Sequence, residues 1–414
     1  MAEYSTEYIR EILDKIYTTE SRRILATLIR LLSDFDIAED AMHDAFIIAI
    51  DQWVEQGIPQ NPRAWLISAG RFKAIDNMRK YSRYNSHLNE LADKIEGVSD
   101  FDIQVEKEIE DDELRLIFTC CHPALSPEAR IALTLREVCN LTTEEIAHAF
   151  LVPVSTLAQR IVRAKAKIRD AKIPFEVPPR TELTERLAAV LNVVYLVFNE
   201  GYSPSFGDSL MRPDISSEAI RLGRLIMELM PEPDVIGLLA LMLLQESRQA
   251  ARTTPEGDMI LLEDQDRSLW NQELIKEGIS LVEKALVTHR FGPYTLQAAI
   301  AAVHAEAVKP ELTDWKQIVA LYDKLLQLEP SPVIELNRAA AVAMCYGPNA
   351  GLVLIDKILA SGNLTDYSFA HSARAELYRR LGKTDEAKAA FERALELTEK
   401  LPERRFIERK LREL

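Results

Sequence analysis

Apolar residues along this chain recur at spacings of three and four, and strand-like alternation is nearly absent. Ala38, Ala41, Met42, Ala45, Phe46, Ala49 and Trp53 make one continuous stripe, which predicts a helix from Asp36 to Trp53. Gly57-Ile58-Pro59 breaks it. Asn61 then offers a side-chain cap and Pro62 a pre-set first turn, so a second helix is expected over Asn61 to Arg83, with Trp65, Ala69, Phe72 and Ile75 on its inner face. Further on, Pro127 to Glu137 reads as one helix. Thr142 with Glu145 three residues later reads as a capping box that opens another, and Leu151-Val152-Pro153 turns the chain into a helix that begins at Val154. Pro174, Pro178 and Pro179 block helix continuation, and the pattern beyond them is helical again to the end. The fold class expected is all-α.

The last part carries an internal repeat. Ala375, Tyr378, Gly382, Ala387, Phe391 and Ala394 have the relative spacing of a tetratricopeptide helix pair, in which small residues admit close approach and aromatics fill the remaining gap. A degenerate echo lies upstream: Tyr322, Leu325 and Pro330 precede Phe391, Ala394 and Glu399 by 69 residues, about two repeats of 34 with one insertion. Such units stack into a solenoid with a concave face.

Length and composition narrow the picture. At 414 residues, two or three domains are expected. No apolar run reaches the ~18 residues of a membrane span, and the polar, amphipathic start MAEYSTEYIREIL does not read as a secretory signal. Cys120, Cys121, Cys139 and Cys345 form no CxxC pair, so a reducing cytoplasm is the expected setting. Cys120-Cys121-His122 invites a metal reading, but adjacent helical residues point about 100° apart and the expectation is buried thiols with no metal or other cofactor.

Charge changes the reading most. The net charge is -15, yet the cations gather on two helices. The first bears Arg71, Lys73, Arg79, Lys80 and Arg83; the second, Val154 to Lys172, bears Arg160, Arg163, Lys165, Lys167, Arg169 and Lys172. Between them, Asp93 to Glu113 holds ten carboxylates against two lysines and reads as a flexible acidic tether. An acidic chain with two separate cationic patches is expected to hold a polyanion at two places.

Ser155, Thr156, Gln159 and Arg160 stand at the start of the second member of a helix-turn-helix, where side chains reach base edges, while Arg163, Lys165 and Lys167 suit phosphate contact. Cations interleaved with Trp65, Phe72, Tyr81 and Tyr84 suit single-stranded DNA. Asp40, His43, Asp44, Ile47 and Asp51 form an acidic helix face with one isoleucine, which fits docking on a protein better than on DNA.

AEDAMHDAFIIAIDQW followed by NPRAWLISAGRFKAIDNMRK resembles region two of an extracytoplasmic-function sigma factor, and LSPEARIALTLREVCNLTTEEIAHAFLVPVSTLAQRIVRAKAKIR resembles its region four. The two stretches stand in the right order across residues 8 to 173. DDELRLIFTCCHPALSPEARIALTLREV, VYLVFNEGYSPSFG, DQDRSLW and RFGPYTLQAAIAAVHAE resemble the subgroup with a C-terminal tetratricopeptide-type extension. The resemblance implies region two over 1–83, the acidic linker over 84–111, region four over 112–173, a Pro-rich linker over 174–180, a helical extension over 181–310 and tetratricopeptide-like repeats over 311–414.

By position, the resemblance implies that Asp40, His43, Asp44 and Ile47 meet the β′ clamp helices of RNA polymerase core, with the β flap as a further partner. Gln56, Ile58 and Gln60, in the loop Glu55 to Gln60, would help capture a flipped base of the −10 element. Trp65, Arg71, Lys73, Asn77, Arg79 and Lys80 would line the melted strand. Ser155, Thr156, Gln159, Arg160, Arg163 and Lys167 would read the −35 element as duplex, and the tether would enter the polymerase channel. His43, Gly70 and Phe72 depart from the family pattern, so no promoter sequence carries over, and Gly70 is expected to loosen its helix by ~1 kcal/mol. The expected function is a non-enzymatic, cytoplasmic sigma factor without membrane attachment, its C-terminal array controlling it and open to a protein or ligand. Three other readings stay open: a dimeric helix-turn-helix regulator, an enzyme using Glu200 or Asp264 in the acidic segments Asn199–Tyr202 and Glu263–Arg267, and a protein-binding scaffold.

Overall fold

The computed structural model describes residues 5–81, 106–139, 141–150, 152–202, 213–254, 257–290, 292–398 and 401–414. Among them the regular structure is helical, with one isolated bridge between Thr253 and Met259. No helix among the described residues is long and apolar enough to cross a membrane. Most of the acidic stretch, with Arg83 and Tyr84, lies outside the described residues. The chain groups into two compact units, residues 1–193 and 194–414.

The first unit opens with three helices that pack on one another, α1 (Thr6–Leu32), α2 (Phe35–Gln56) and α3 (Pro62–Tyr81). Each start is set locally. Ser5 Oγ accepts from the Tyr8 amide, Asp34 from Asp36 and Ile37, and Asn61 from Ala64 at 3.0 Å. The predicted stripe of α2 is inside, with Ala38, Ala45, Ala49 and Trp53 buried and Trp53 edge-on to Trp65 at 5.4 Å.

On α3 the inner face differs from the expected one. Leu66, Ile67, Gly70, Arg71, Ala74, Ile75 and Met78 are buried, whereas Phe72 is 57% exposed. Gly70 accounts for this. A Cβ there would sit 2.9 Å from the Ala41 carbonyl oxygen and 3.3 Å from Leu28 Cδ1, so the missing side chain lets α3 approach the α2 backbone. That close approach selects the face carrying Gly70 and turns Phe72 outward. Its role is packing, beyond the loss of helix propensity expected for it.

α4 (Glu106–Cys120) begins inside the acidic stretch and packs along α1. Asp112, fully buried, receives Arg30 at 2.8 Å and Arg115 at 2.6 Å, and Glu113 receives Arg23 at 3.3 Å. The pairs with Arg30 and Arg23 anchor α4 to α1, because the buried carboxylate needs its cations, while Arg115 adds a pair within α4 itself. Next come α5 (Pro127–Leu133), a π-helical turn over Thr134–Val138, α6 (Thr143–Ala149) and α7 (Val154–Asp170). The helix expected over Pro127 to Glu137 is thus widened in its last turn, where the Cys139 amide reaches back to the Thr134 carbonyl.

The second unit takes up the chain within α8 (Arg180–Tyr202) and continues through α9 (Pro213–Leu229), α10 (Pro233–Glu246), α11 (Gln272–Leu286) and α12 (Pro293–Glu306). α10 is apolar on all sides and buried from Val235 to Leu244, with α9, α11 and α12 packed around it. Then α13 (Trp315–Leu328), α14 (Pro332–Tyr346), α15 (Pro348–Ala360), α16 (Ser368–Arg380), α17 (Thr384–Glu396) and α18 (Leu401–Glu413) stack in chain order. Ala375, Ala387, Phe391 and Ala394 are buried together as the repeat spacing predicts. Gly382 takes φ 70°, and the Lys383 amide returns to the Tyr378 carbonyl to close α16.

Candidate nucleic-acid interface

The helix-turn-helix forms as the capping box predicts. The Thr142 amide donates to Glu145 Oε2 at 2.7 Å and the Glu145 amide donates to Thr142 Oγ1 at 3.1 Å, which fixes the start of α6. Ile146 and Ala147 are buried at the crossing, and Leu157, Ile161, Ala164 and Ile168 form the buried stripe of α7. That stripe leaves Ser155, Thr156, Gln159, Arg163 and Lys167 exposed and Arg160 half-buried. Thr156, Gln159, Arg160, Arg163 and Lys167 line one groove of about 450 Å³, with Leu125 and Ser126 opposite. Among the described residues no carboxylate lines it, and Arg160, Arg163 and Lys167 make the groove cationic.

Lys165 departs from the expected phosphate-facing role. Its ammonium turns inward to Asp36 at 3.0 Å, Glu137 at 3.2 Å and Glu39 at 3.5 Å, with the Phe35 ring beneath. Arg136 adds a 2.7 Å pair to Glu39. Burial pushes the Glu137 carboxyl above its ordinary range while Lys165 pulls it back. Burial works against the Lys165 charge as well, but Glu137, Asp36 and Glu39 outweigh it and hold the ammonium above its usual value. α7 is therefore tied, through one half-buried cation, to the first turns of α2. The α7 stripe contained a signal for this: position 165 lies four residues from Ile161 and next to Ala164. Glu39, Arg136 and Glu137, which complete the network, gave none.

On α2, Asp40 and His43 are exposed, Asp44 is half-buried and Ile47 is 61% exposed, a large apolar side chain in an acidic surface. Asn77 Nδ2 donates to Asp44 Oδ2 at 3.4 Å, which joins α3 to that face. At the end of α2, Gln56 and Gln60 are exposed and Ile58 half-buried. Trp65, Phe72, Lys73 and Arg79 line a groove of about 500 Å³ with Ile48 and Gln52. Lys80 is exposed beside Asp76 at 3.6 Å. Arg71 is placed inside, 3% exposed, with its guanidinium 5.9 Å from the Phe72 ring centroid. The structure thus gathers Trp65, Lys73 and Arg79 into one groove and sets Arg71 behind it.

Cys120, Cys121 and Cys139 are buried, and Cys121 Sγ lies 3.4 Å from Thr134 Oγ1. Burial pushes the Cys121 thiol up to about 11, so the group is held as a neutral thiol. In the second unit, Asp266 caps Ser268, Glu263 pairs with Arg380, and the Gln265 amide donates to the Ile260 carbonyl.

The comparisons with known proteins match this layout. Residues 16–84 match the model of Sigma-70 region 2 and residues 115–168 that of Sigma-70, region 4. Residues 186–286 match a family of unknown function (DUF6596), and residues 368–401 a tetratricopeptide repeat. An uncharacterized protein of Rhizobium meliloti (strain 1021) is 43% identical over 400 residues, covering 94% of this chain and 92% of the relative. With both sigma regions in order, a helix-turn-helix with a cationic groove, and a helical array after them, the chain belongs to the extracytoplasmic-function-type sigma factors with a C-terminal extension, proteins that bind RNA polymerase core and act in promoter recognition.

Proposed function

We propose that this chain directs core polymerase to promoters through three surfaces of its first unit and promotes melting of the DNA it engages. Asp40, His43, Asp44 and Ile47 dock on the β′ clamp helices. The observation that carries this is the exposed Ile47 within an acidic face, since an isolated apolar side chain ringed by carboxylates suits a basic protein groove and repels DNA. The β flap is the partner proposed for the region-four part. Gln56, Ile58 and Gln60 capture a base at the −10 element, and Trp65, Lys73, Asn77, Arg79 and Lys80 hold the melted strand, with Arg71 supporting them from behind. Ser155, Thr156, Gln159 and Arg160 read −35 base edges in the major groove while Arg163 and Lys167 meet phosphates. Because Lys165 ties α7 to α2 next to the docking face, binding of core opens this tie so that the two DNA-facing units reach two elements. The chain acts in the cytoplasm without chemistry of its own, and the C-terminal helices regulate it.

The test is transcription from the promoter of the protein's own gene region, with purified chain and core polymerase. Defined transcripts are expected, and they are lost with Asp40→Ala/Asp44→Ala while the fold is unchanged by circular dichroism. Absence of transcripts together with failure of the chain to co-elute with core would overturn the reading. Removing residues 181–414 is expected to change promoter output; unchanged output would sink the regulatory part.

A further inference from the structure

The second unit contains a cavity that neither the promoter-binding surfaces nor the family matches assign. It measures about 360 Å³ and lies among α14, α16, α17 and α18. Leu336, Phe391 and Ile407 are buried at its closed end, while Asn337, Ala340 and Phe369 stand at its mouth. Phe406 gives it a third phenyl ring. The room exists because the facing positions on α14 and α16 are small: Ala340, Ser368, Ser372 and Ala373.

A strap closes one side. Residues 258–263 run across these helices, and Met259 and Leu261 form part of the cavity wall. The strap is fixed at three points. Arg405 pairs with Asp258 at 3.2 Å, Arg409 donates to the Met259 carbonyl at 3.4 Å, and Arg380 pairs with Glu263 through both carboxylate oxygens at 3.0 and 2.9 Å. An array with open concave faces admits an extended chain; with the strap across it, what remains is a pocket of small-molecule size.

We propose that this cavity binds an uncharged small molecule with a fused or substituted aromatic ring and one hydrogen-bonding group. Three phenyl rings and the aliphatic walls supply the apolar contact. Among the described residues, the side chains of Asn337, Ser368 and Ser372 make no hydrogen bond within the chain, so they can meet one polar group of the ligand. Charge decides the rest. Among the described residues no lysine, arginine or histidine lines the cavity, so an anion finds no counter-charge from them. Glu376 at the wall is already paired with Arg379 at 2.7 Å and Arg380 at 2.9 Å, and Glu403 has a partner too, so among the described residues of the wall a cation gains no unpaired carboxylate.

The experiment is calorimetric titration of the full chain with 2-naphthol, an uncharged two-ring compound with a single hydroxyl. One saturable site is expected. Ala340→Leu at the mouth and Ser372→Phe in the wall each fill the room and are expected to weaken binding at least tenfold, with the helical circular-dichroism signal retained. Naphthalene-2-sulfonate, the same ring with a fixed negative charge, is expected to bind at least tenfold more weakly than 2-naphthol. The proposal is overturned by the absence of a saturable site, by Ala340→Leu binding with unchanged affinity, or by equal affinity for the sulfonate. Should Ser372→Phe fail to fold, the exposed Ala340 position decides alone.

Discussion

α3 and α7 are both basic helices, and on each some of the cations turn inward. Arg71 on α3 and Lys165 on α7 are two of them. Their surroundings differ. Lys165 meets three carboxylates from two distant segments, so it joins parts of the chain more than a hundred residues apart. Arg71 sits beside Gly70 where α3 presses on α2, and its stem fills space within one helical group. The lesson is that counting cations on a helix overstates its contact with DNA. A cation is available to phosphate only where the packing stripe leaves it outside and no buried carboxylate claims it.

The largest effect should come from Lys165→Ala. Removing the ammonium strands Glu137 in the interior and is expected to cost about 3 kcal/mol in urea unfolding. A buried carboxyl whose folded pKa lies above its unfolded value loses stability as pH rises through the ordinary value of 4.5. The deficit of the variant should therefore be greatest at neutral pH and shrink toward pH 4.5. Lys165→Met with Glu137→Gln should recover most of the loss. A pH-independent deficit would break the contrast between the two inward cations.

Arg71→Ala comes next, at about 2 kcal/mol from lost packing and hydrogen bonding of a buried side chain. Its salt dependence of binding to single-stranded DNA should stay near that of the parent. If instead stability holds and the salt dependence falls, Arg71 belongs with the outward cations and the comparison fails. Arg163→Ala and Lys167→Ala should each change stability by less than about 0.5 kcal/mol, yet each should lower the slope of log K against log salt on duplex DNA by about 1. The smallest effect is expected for Lys80→Ala. Its pair with Asp76 is exposed and contributes about 0–1 kcal/mol to unfolding, while a single-strand salt slope should fall by about 0.7.

The second unit relies on different forces. Its helices stack in chain order, with small residues such as Ala375, Ala387 and Ala394 at the crossings, and its ion pairs lie on the surface. This made the last repeat readable from spacing alone. The strap over residues 258–263 was not readable, because Asp258 and Glu263 find Arg405 and Arg380 only after the array has folded.

What the sequence determined by itself is the part governed by neighbours. Asn61 with Pro62, Thr142 with Glu145 and Gly382 mark helix ends, because caps and left-handed closures are made within a few residues. The stripes of α2 and α7 follow from the helical period, and with them the outward set Thr156, Gln159, Arg163 and Lys167. Tertiary structure decided the rest. It chose between two competing inner faces on α3 through the contact of Gly70 with Ala41, turned Phe72 outward, and drew Lys165 to Glu39 and Glu137. The reason is physical: a local pattern fixes which residues share a face, but which face is buried, and which charge is paired, depends on what the fold brings against it.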